Sequence, residues 1–104
     1  MKIFFDQGTP APLRHALKGH TVATAYELGW AELDNGKLLS ATESEFDVLV
    51  TTDQNLRYQQ NLAERRLAIL ILPTTNWPEL HAHETQIAAA INTLRPGDVV
   101  EMKL

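Results

Sequence analysis

The chain contains no cysteine. That absence excludes a disulfide framework, a thiolate zinc site and a cysteine nucleophile. No apolar run approaches the roughly 20 residues that cross a bilayer, so no membrane contact is expected. The opening MKIFFDQ turns acidic at once, unlike a signal peptide, and a cytoplasmic protein is the expectation. Gly-rich phosphate loops, hydrolase elbows and zinc motifs are all missing, as are repeats, linkers and low-complexity segments. Positive charge is scarce as well. Nine basic residues face thirteen acidic ones, for a net charge of −4. That balance counts against a broad non-specific nucleic-acid surface, though not against a local basic patch. What remains is 104 residues, 44% of them apolar, enough to build one core in a single domain spanning 1–104.

The stretch that organises the rest is Phe46 to Asn61, FDVLVTTDQNLRYQQN. Phe46, Val48, Leu49 and Val50 read as a buried strand that delivers Asp53 into a strand-to-helix turn. A helix is expected from Leu56, with Leu56, Gln60 and Ala63 on one face and Arg65-Arg66 at its C-terminal end. An amide on that face must find hydrogen bonds or cost roughly 1–3 kcal/mol, so Gln60 is expected to be buried and bonded. Upstream, Ile3-Phe4-Phe5 reads as a first strand ending at Asp6. Pro10 or Pro12 then opens a helix that buries Leu13, Ala16 and Leu17 and closes at Gly19. His20 to Thr24 is a second strand, giving a β-α-β unit with parallel strands and a right-handed crossover. Glu27 to Leu33 reads as a loose turn or short helix, and a helix follows from about Lys37 to Ser44. Leu67 to Leu72 is an apolar strand of the kind buried on both faces of a parallel sheet. Pro78 opens the longest helix, carrying Leu80, Ile87, Ala88, Ile91 and Leu94, and Asp98 to Leu104 is a last short strand or tail. The pattern specifies a three-layer α/β/α sandwich around a small, mainly parallel sheet.

Asp6 and Asp53 each follow an apolar strand. On neighbouring parallel strands they reach the same sheet edge, where two carboxylates suit Mg²⁺ or Mn²⁺. The same two residues also serve as a turn residue and a helix cap, and both readings stand at this point. Asn35 and Asn55 sit where helices start, as capping residues do. His81 and His83, two apart on a helix, point to opposite faces and make no chelating pair.

MKIFFD, then GH-TVATAYELGW, NGKLL, FDVLVTTDQNLRYQQN, and LAILIL followed by TNW together resemble the small PIN-like proteins of the DUF5615 type. The resemblance covers nearly the whole chain in order. It implies an α/β/α sandwich and a metal-dependent ribonuclease, in some members the toxin of a toxin–antitoxin pair. Its site is a cluster of acidic residues at the C-terminal ends of the strands. By that resemblance Asp6 and Asp53 are the catalytic, metal-holding carboxylates. Asn35 and Asn55 stand where relatives often carry acids, and Gln7 where a glutamate is common. Asn35, Asn55, Gln60 and Asn61 would form the supporting polar shell. With two amides in place of carboxylates, Mg²⁺ or Mn²⁺ is expected to bind weakly. RNA and an antitoxin-like protein are the implied partners, and a homodimer is compatible with the sequence. The alternative is a non-catalytic PIN-like module that keeps the polar pocket as structure and binds a partner protein.

Overall fold

Short apolar runs between turn residues become the five strands of one sheet: β1 (Lys2–Phe5), β2 (Thr21–Thr24), β3 (Val48–Thr51), β4 (Ala68–Ile71) and β5 (Val99–Glu101). The computed structural model describes residues 1–104. All four pairings are parallel, in the order β2-β1-β3-β4-β5. β3 and β4 are buried at every position, as their unbroken apolar sequences require of strands covered on both faces. β2 and β5 lie at the edges and are partly exposed, which is why their sequences mix polar with apolar residues.

The two-residue period of the strands divides the core. Ile3 and Phe5, with Val48, Val50, Ala68 and Leu70, face Leu13 and Leu17 on one side, together with Leu80, Ile87 and Ile91. Phe4, Leu49, Ile69 and Ile71 face Ala25, Leu39, Leu56 and Leu62 on the other. Helices therefore cover both faces, and the fold is the three-layer sandwich. On the second face the ring of Phe4 lies 5.4 Å from that of Trp30 and 5.5 Å from that of Phe46.

Several helices differ from their sequence expectations. The segment after β1 is a six-residue 3-10 helix, Ala11–Ala16, rather than an α-helix. Pro10 and Pro12 leave two backbone positions without an N–H, and the turn never lengthens into an α-helical ladder. Leu13 and Leu17 are buried as expected, and Gly19 takes a left-handed φ of 85° just past the end. A short helix α1 (Ala25–Leu28) begins in a capping box in which Thr24 and Glu27 satisfy each other's backbone N–H groups. Helix α2 spans Asn35–Glu45, and its N-cap is Asp34, whose carboxylate accepts from the Lys37 N–H. Asn35 is thus the first helical residue and not the cap.

Helix α3 is a single turn, Leu56–Gln59. The chain leaves it at Gln60, whose φ of −129° and ψ of 143° are extended. The expected stripe of Leu56, Gln60 and Ala63 therefore does not form. Leu56 and Leu62 are the buried residues, and Ala63 is exposed. Arg65 and Arg66 lie in the following loop, where Glu43 of α2 accepts from the Arg66 N–H at 2.7 Å and pairs with the Arg65 guanidinium at 3.8 Å. The expected long C-terminal helix is two pieces, α4 (Trp77–Ala82) and α5 (Glu84–Thr93), divided at His83. Asn76 caps α4 by accepting from the Glu79 N–H.

The chain steps from β3 to β4 and from β4 to β5 in the same direction across the sheet. Yet α3 lies on one face and α4 and α5 on the other, so the last crossover has the opposite hand to the one before it. The default is one hand throughout. Here the apolar stripe of α4 and α5 fills the face that the six-residue 3-10 helix leaves half covered.

No helix is long and apolar enough to cross a membrane.

Candidate functional site

β1 and β3 are neighbours, and the chain leaves their C-terminal ends over opposite faces of the sheet. Such a switch point opens a crevice outside the strand ends, where open α/β sheets place their ligands. Asp6 is the first residue past β1, and Asp53 lies two residues past β3. Both therefore arrive at this crevice, as the parallel reading requires.

One hydroxyl joins them. Thr51 Oγ1 donates to Asp6 Oδ2 and accepts from the Asp53 N–H at 3.1 Å. Thr51 is 1% exposed, so this link is shielded from water. Thr9 Oγ1 lies 2.8 Å from Asp6 Oδ1 and 3.0 Å from the Val50 carbonyl, with one proton to give between them. Asp53 has its own partners: Oδ1 accepts from the Asn55 N–H at 2.9 Å and Oδ2 from Asn35 Nδ2 at 3.3 Å. Asn35 Nδ2 also lies 3.2 Å from Gln59 Oε1.

Of the residues singled out in the sequence, Asp6, Asp53 and Asn35 meet in one hydrogen-bonded group. Asn55 joins through its backbone only, because its side chain makes no cap and the residue is exposed. Gln60 lies half-buried, with its amide oxygen 3.7 Å from where a Gly36 side chain would begin, and it reaches neither aspartate. Asn61 is exposed and uses its side chain on the Ala63 N–H. Both residues drop out because α3 ends before them, and Gln59 takes the place expected of Gln60. Thr9 and Thr51 were not singled out in the sequence. Their signal is a hydroxyl within three residues of each aspartate, which the TTD run carries in plain view. His83 turns its ring to the Glu79 carbonyl, and His81 pairs with Glu84, so the two histidines share nothing.

Burial pushes the Asp6 carboxyl above the ordinary aspartate range. Hydrogen bonds from Thr51 and Thr9 act against this, and the neighbouring charge of Asp53 adds to it. The unfolded carboxyl ionises near pH 4. The folded one holds its proton longer, so its contribution to stability is complete below the unfolded pKa and is lost as pH rises through the folded pKa. Asp6→Asn carries no such loss. In metal-free buffer its melting temperature relative to wild type should therefore be higher at pH 7 than at pH 4. A difference that stays constant across that range would show that the carboxyl is not held above its ordinary range.

Gly8 has a steric role. A Cβ at this position would collide with Thr52 Oγ1, so that side chain or the loop must shift to admit it. Gly8→Ala is expected to cost about 1–3 kcal/mol in denaturant unfolding, as overpacking does. A cost near zero would mean that the loop yields freely.

Space for a ligand adjoins the group. A cleft of about 620 Å³ opens beside Asp6, lined also by Gln7, Arg14, Tyr26 and Glu27. The Arg14 guanidinium holds the Glu27 carboxyl below the ordinary range and pairs with it at 2.9 Å, fixing the far wall of the cleft. A smaller pocket of about 110 Å³ runs from Asp6 past Trp30 to Asn35.

Nowhere do three or more histidine or acidic side chains gather as a metal cage. Two carboxylates nevertheless fit Mg²⁺ or Mn²⁺, which commonly take one or two carboxylates and keep their remaining positions for water and substrate phosphate. Each aspartate oxygen has a second lone pair beyond the hydrogen bond it accepts. The chain matches no family model, no curated protein and no solved structure.

Proposed function

We propose that the protein is a metal-dependent ribonuclease of the PIN-like type. The observation that carries this reading is the meeting of Asp6 and Asp53 at the β1/β3 switch point, linked by the Thr51 hydroxyl. Asp6 and Asp53 would hold Mg²⁺ or Mn²⁺. The ion would supply charge neutralisation at a phosphodiester and a water made acidic enough to attack it. Thr51 and Thr9 fix the rotamer of Asp6, and Asn35 and the Asn55 N–H fix that of Asp53. The cleft beside Asp6 is where the RNA strand would lie. An antitoxin-like protein is the partner that the family resemblance adds.

One observation favours a second reading, a non-catalytic protein-binding module. Asn35 stands within 3.3 Å of Asp53 and offers its N–H there, so the pocket is complete without a cation. Single-stranded RNA incubated in Mn²⁺ with wild type and with the double variant Asn35→Asp/Asn55→Asp separates the two. Wild type should cleave the RNA, and added carboxylates should increase the rate and the affinity for Mn²⁺. Cleavage by the double variant alone would favour the module, and two inert proteins that bind no Mn²⁺ would make the pocket purely structural.

A further inference from the structure

At the opposite end of the sheet, away from Asp6 and Asp53, the two arginines that make no ion pair line one cleft. The sequence has five arginines. Arg14 pairs with Glu27, Arg57 with Glu101 and Arg65 with Glu43. Arg66 and Arg95 make no ion pair, and both line the same cleft of about 380 Å³ at the N-terminal ends of β3 and β4. Both arginines are solvent-exposed, so each guanidinium is free to meet a ligand at the cleft.

Two carboxylates, Glu43 and Asp47, also line the cleft, and neither pairs with the guanidinium of Arg66 or Arg95. Glu43 accepts from the N–H groups of Arg66 and Leu67 and pairs with Arg65. Asp47 accepts from the Lys2 N–H at 2.8 Å. Asp98 accepts from the backbone N–H of Arg95 at 2.9 Å and leaves its guanidinium alone. Arg65, next along the chain, keeps its Nε buried with no hydrogen-bond partner. The rest of the lining is largely apolar, with Phe46, Val48, Leu67, Ala68, Leu94 and Pro96 beside the two carboxylates. The cleft's size is that of a small-molecule site, which typically holds roughly 300–1,000 Å³. A guanidinium presents a planar fork of donors matched to a carboxylate or phosphate.

We propose that this cleft binds a small organic anion, a carboxylate or phosphate joined to an apolar body. Arg66 and Arg95 take the anion, and the surface of Phe46, Leu67 and Leu94 takes the body. The site is separate from the aspartate pair and does not depend on the nuclease reading.

Calorimetric titration of the full chain tests this with octyl phosphate and octanoate, each below its micelle threshold. Inorganic phosphate and octanol serve as the separated halves. One amphiphilic anion should bind one to one, at least about tenfold tighter than either half. Arg66→Gln and Arg95→Gln should each weaken it by about tenfold, the usual scale for a lost charge-assisted hydrogen bond. Lys18→Gln, which removes a charge elsewhere, should not. The tighter of the two anions identifies the headgroup, and either preference supports the site. Octanol binding as well as octyl phosphate would reduce the cleft to an apolar crevice, and unchanged affinity in both arginine variants would overturn the proposal. So would the absence of binding by all four probes.

Discussion

Asp53→Asn should lower cleavage of single-stranded RNA in Mn²⁺ by about a hundredfold or more. A metal ion contributes several kcal/mol of transition-state stabilisation, and each 1.4 kcal/mol is about tenfold in rate. On the nuclease reading, replacing one of only two charged ligands would remove most of the cation's hold. The fold should not suffer. An asparagine oxygen can still accept from the Asn55 N–H, and the Asn35 amide can turn its oxygen toward the new side chain. The substitution also removes the charge that helps to raise the Asp6 carboxyl. The metal-free variant should therefore melt at the same temperature as wild type or higher. Asp6→Asn should be as damaging to cleavage. Equal loss in both, with melting temperatures maintained, would assign the activity to the pair. Full cleavage by Asp53→Asn would show that the activity does not reside in the aspartate pair, whatever the state of the fold.

Legibility in the sequence follows burial closely. The central strands β1, β3 and β4 were readable because each is an apolar run closed by turn residues, and burial on both faces leaves little else such a run can be. Asp6 and Asp53 were readable for the same reason, since a strand's end fixes where the next polar residue emerges. The fine structure of the site was not. Leu56, Gln60 and Ala63 have helical spacing, but only Leu56 among them is buried, and nothing apolar in YQQN holds a second turn against the core. Leu62, outside the expected stripe, anchors the chain instead, so Gln59 rather than Gln60 turns toward Asn35. Thr9 and Thr51 escaped because a threonine at a strand end or in a turn fits its local conformation without a further role. Only the parallel pairing of β1 and β3 shows that one hydroxyl serves both aspartates. Asn35 and Asp34 both have the chemistry of a cap, and one residue of register decides which is free to reach the site.

The largest effect on stability is expected from Phe4→Ala. Phe4 is fully buried at the centre of β1, and its ring meets those of Trp30 and Phe46, which also meet each other edge-on at 6.2 Å. No neighbouring backbone can collapse into the space, because β2 and β3 hold the strand on both sides. Phe-to-Ala changes in such sites cost about 3–5 kcal/mol, against a total of roughly 5–15 kcal/mol for a domain. At about 4–8 °C per kcal/mol for a domain near this size, the melting temperature should fall by more than about 12 °C. Phe5→Ala should cost a similar amount but act on the other face, where Phe5 packs with Leu13 and the α4–α5 stripe. The two can be told apart in a Trp77→Phe background, where Trp30 alone reports. Phe4→Ala should flatten the near-ultraviolet circular dichroism of Trp30, and Phe5→Ala should leave it intact. If Phe5→Ala disturbed Trp30 as much as Phe4→Ala did, the alternation of faces along β1 would be wrong. Asp6, one residue further on, would then no longer be aimed at the crevice it shares with Asp53.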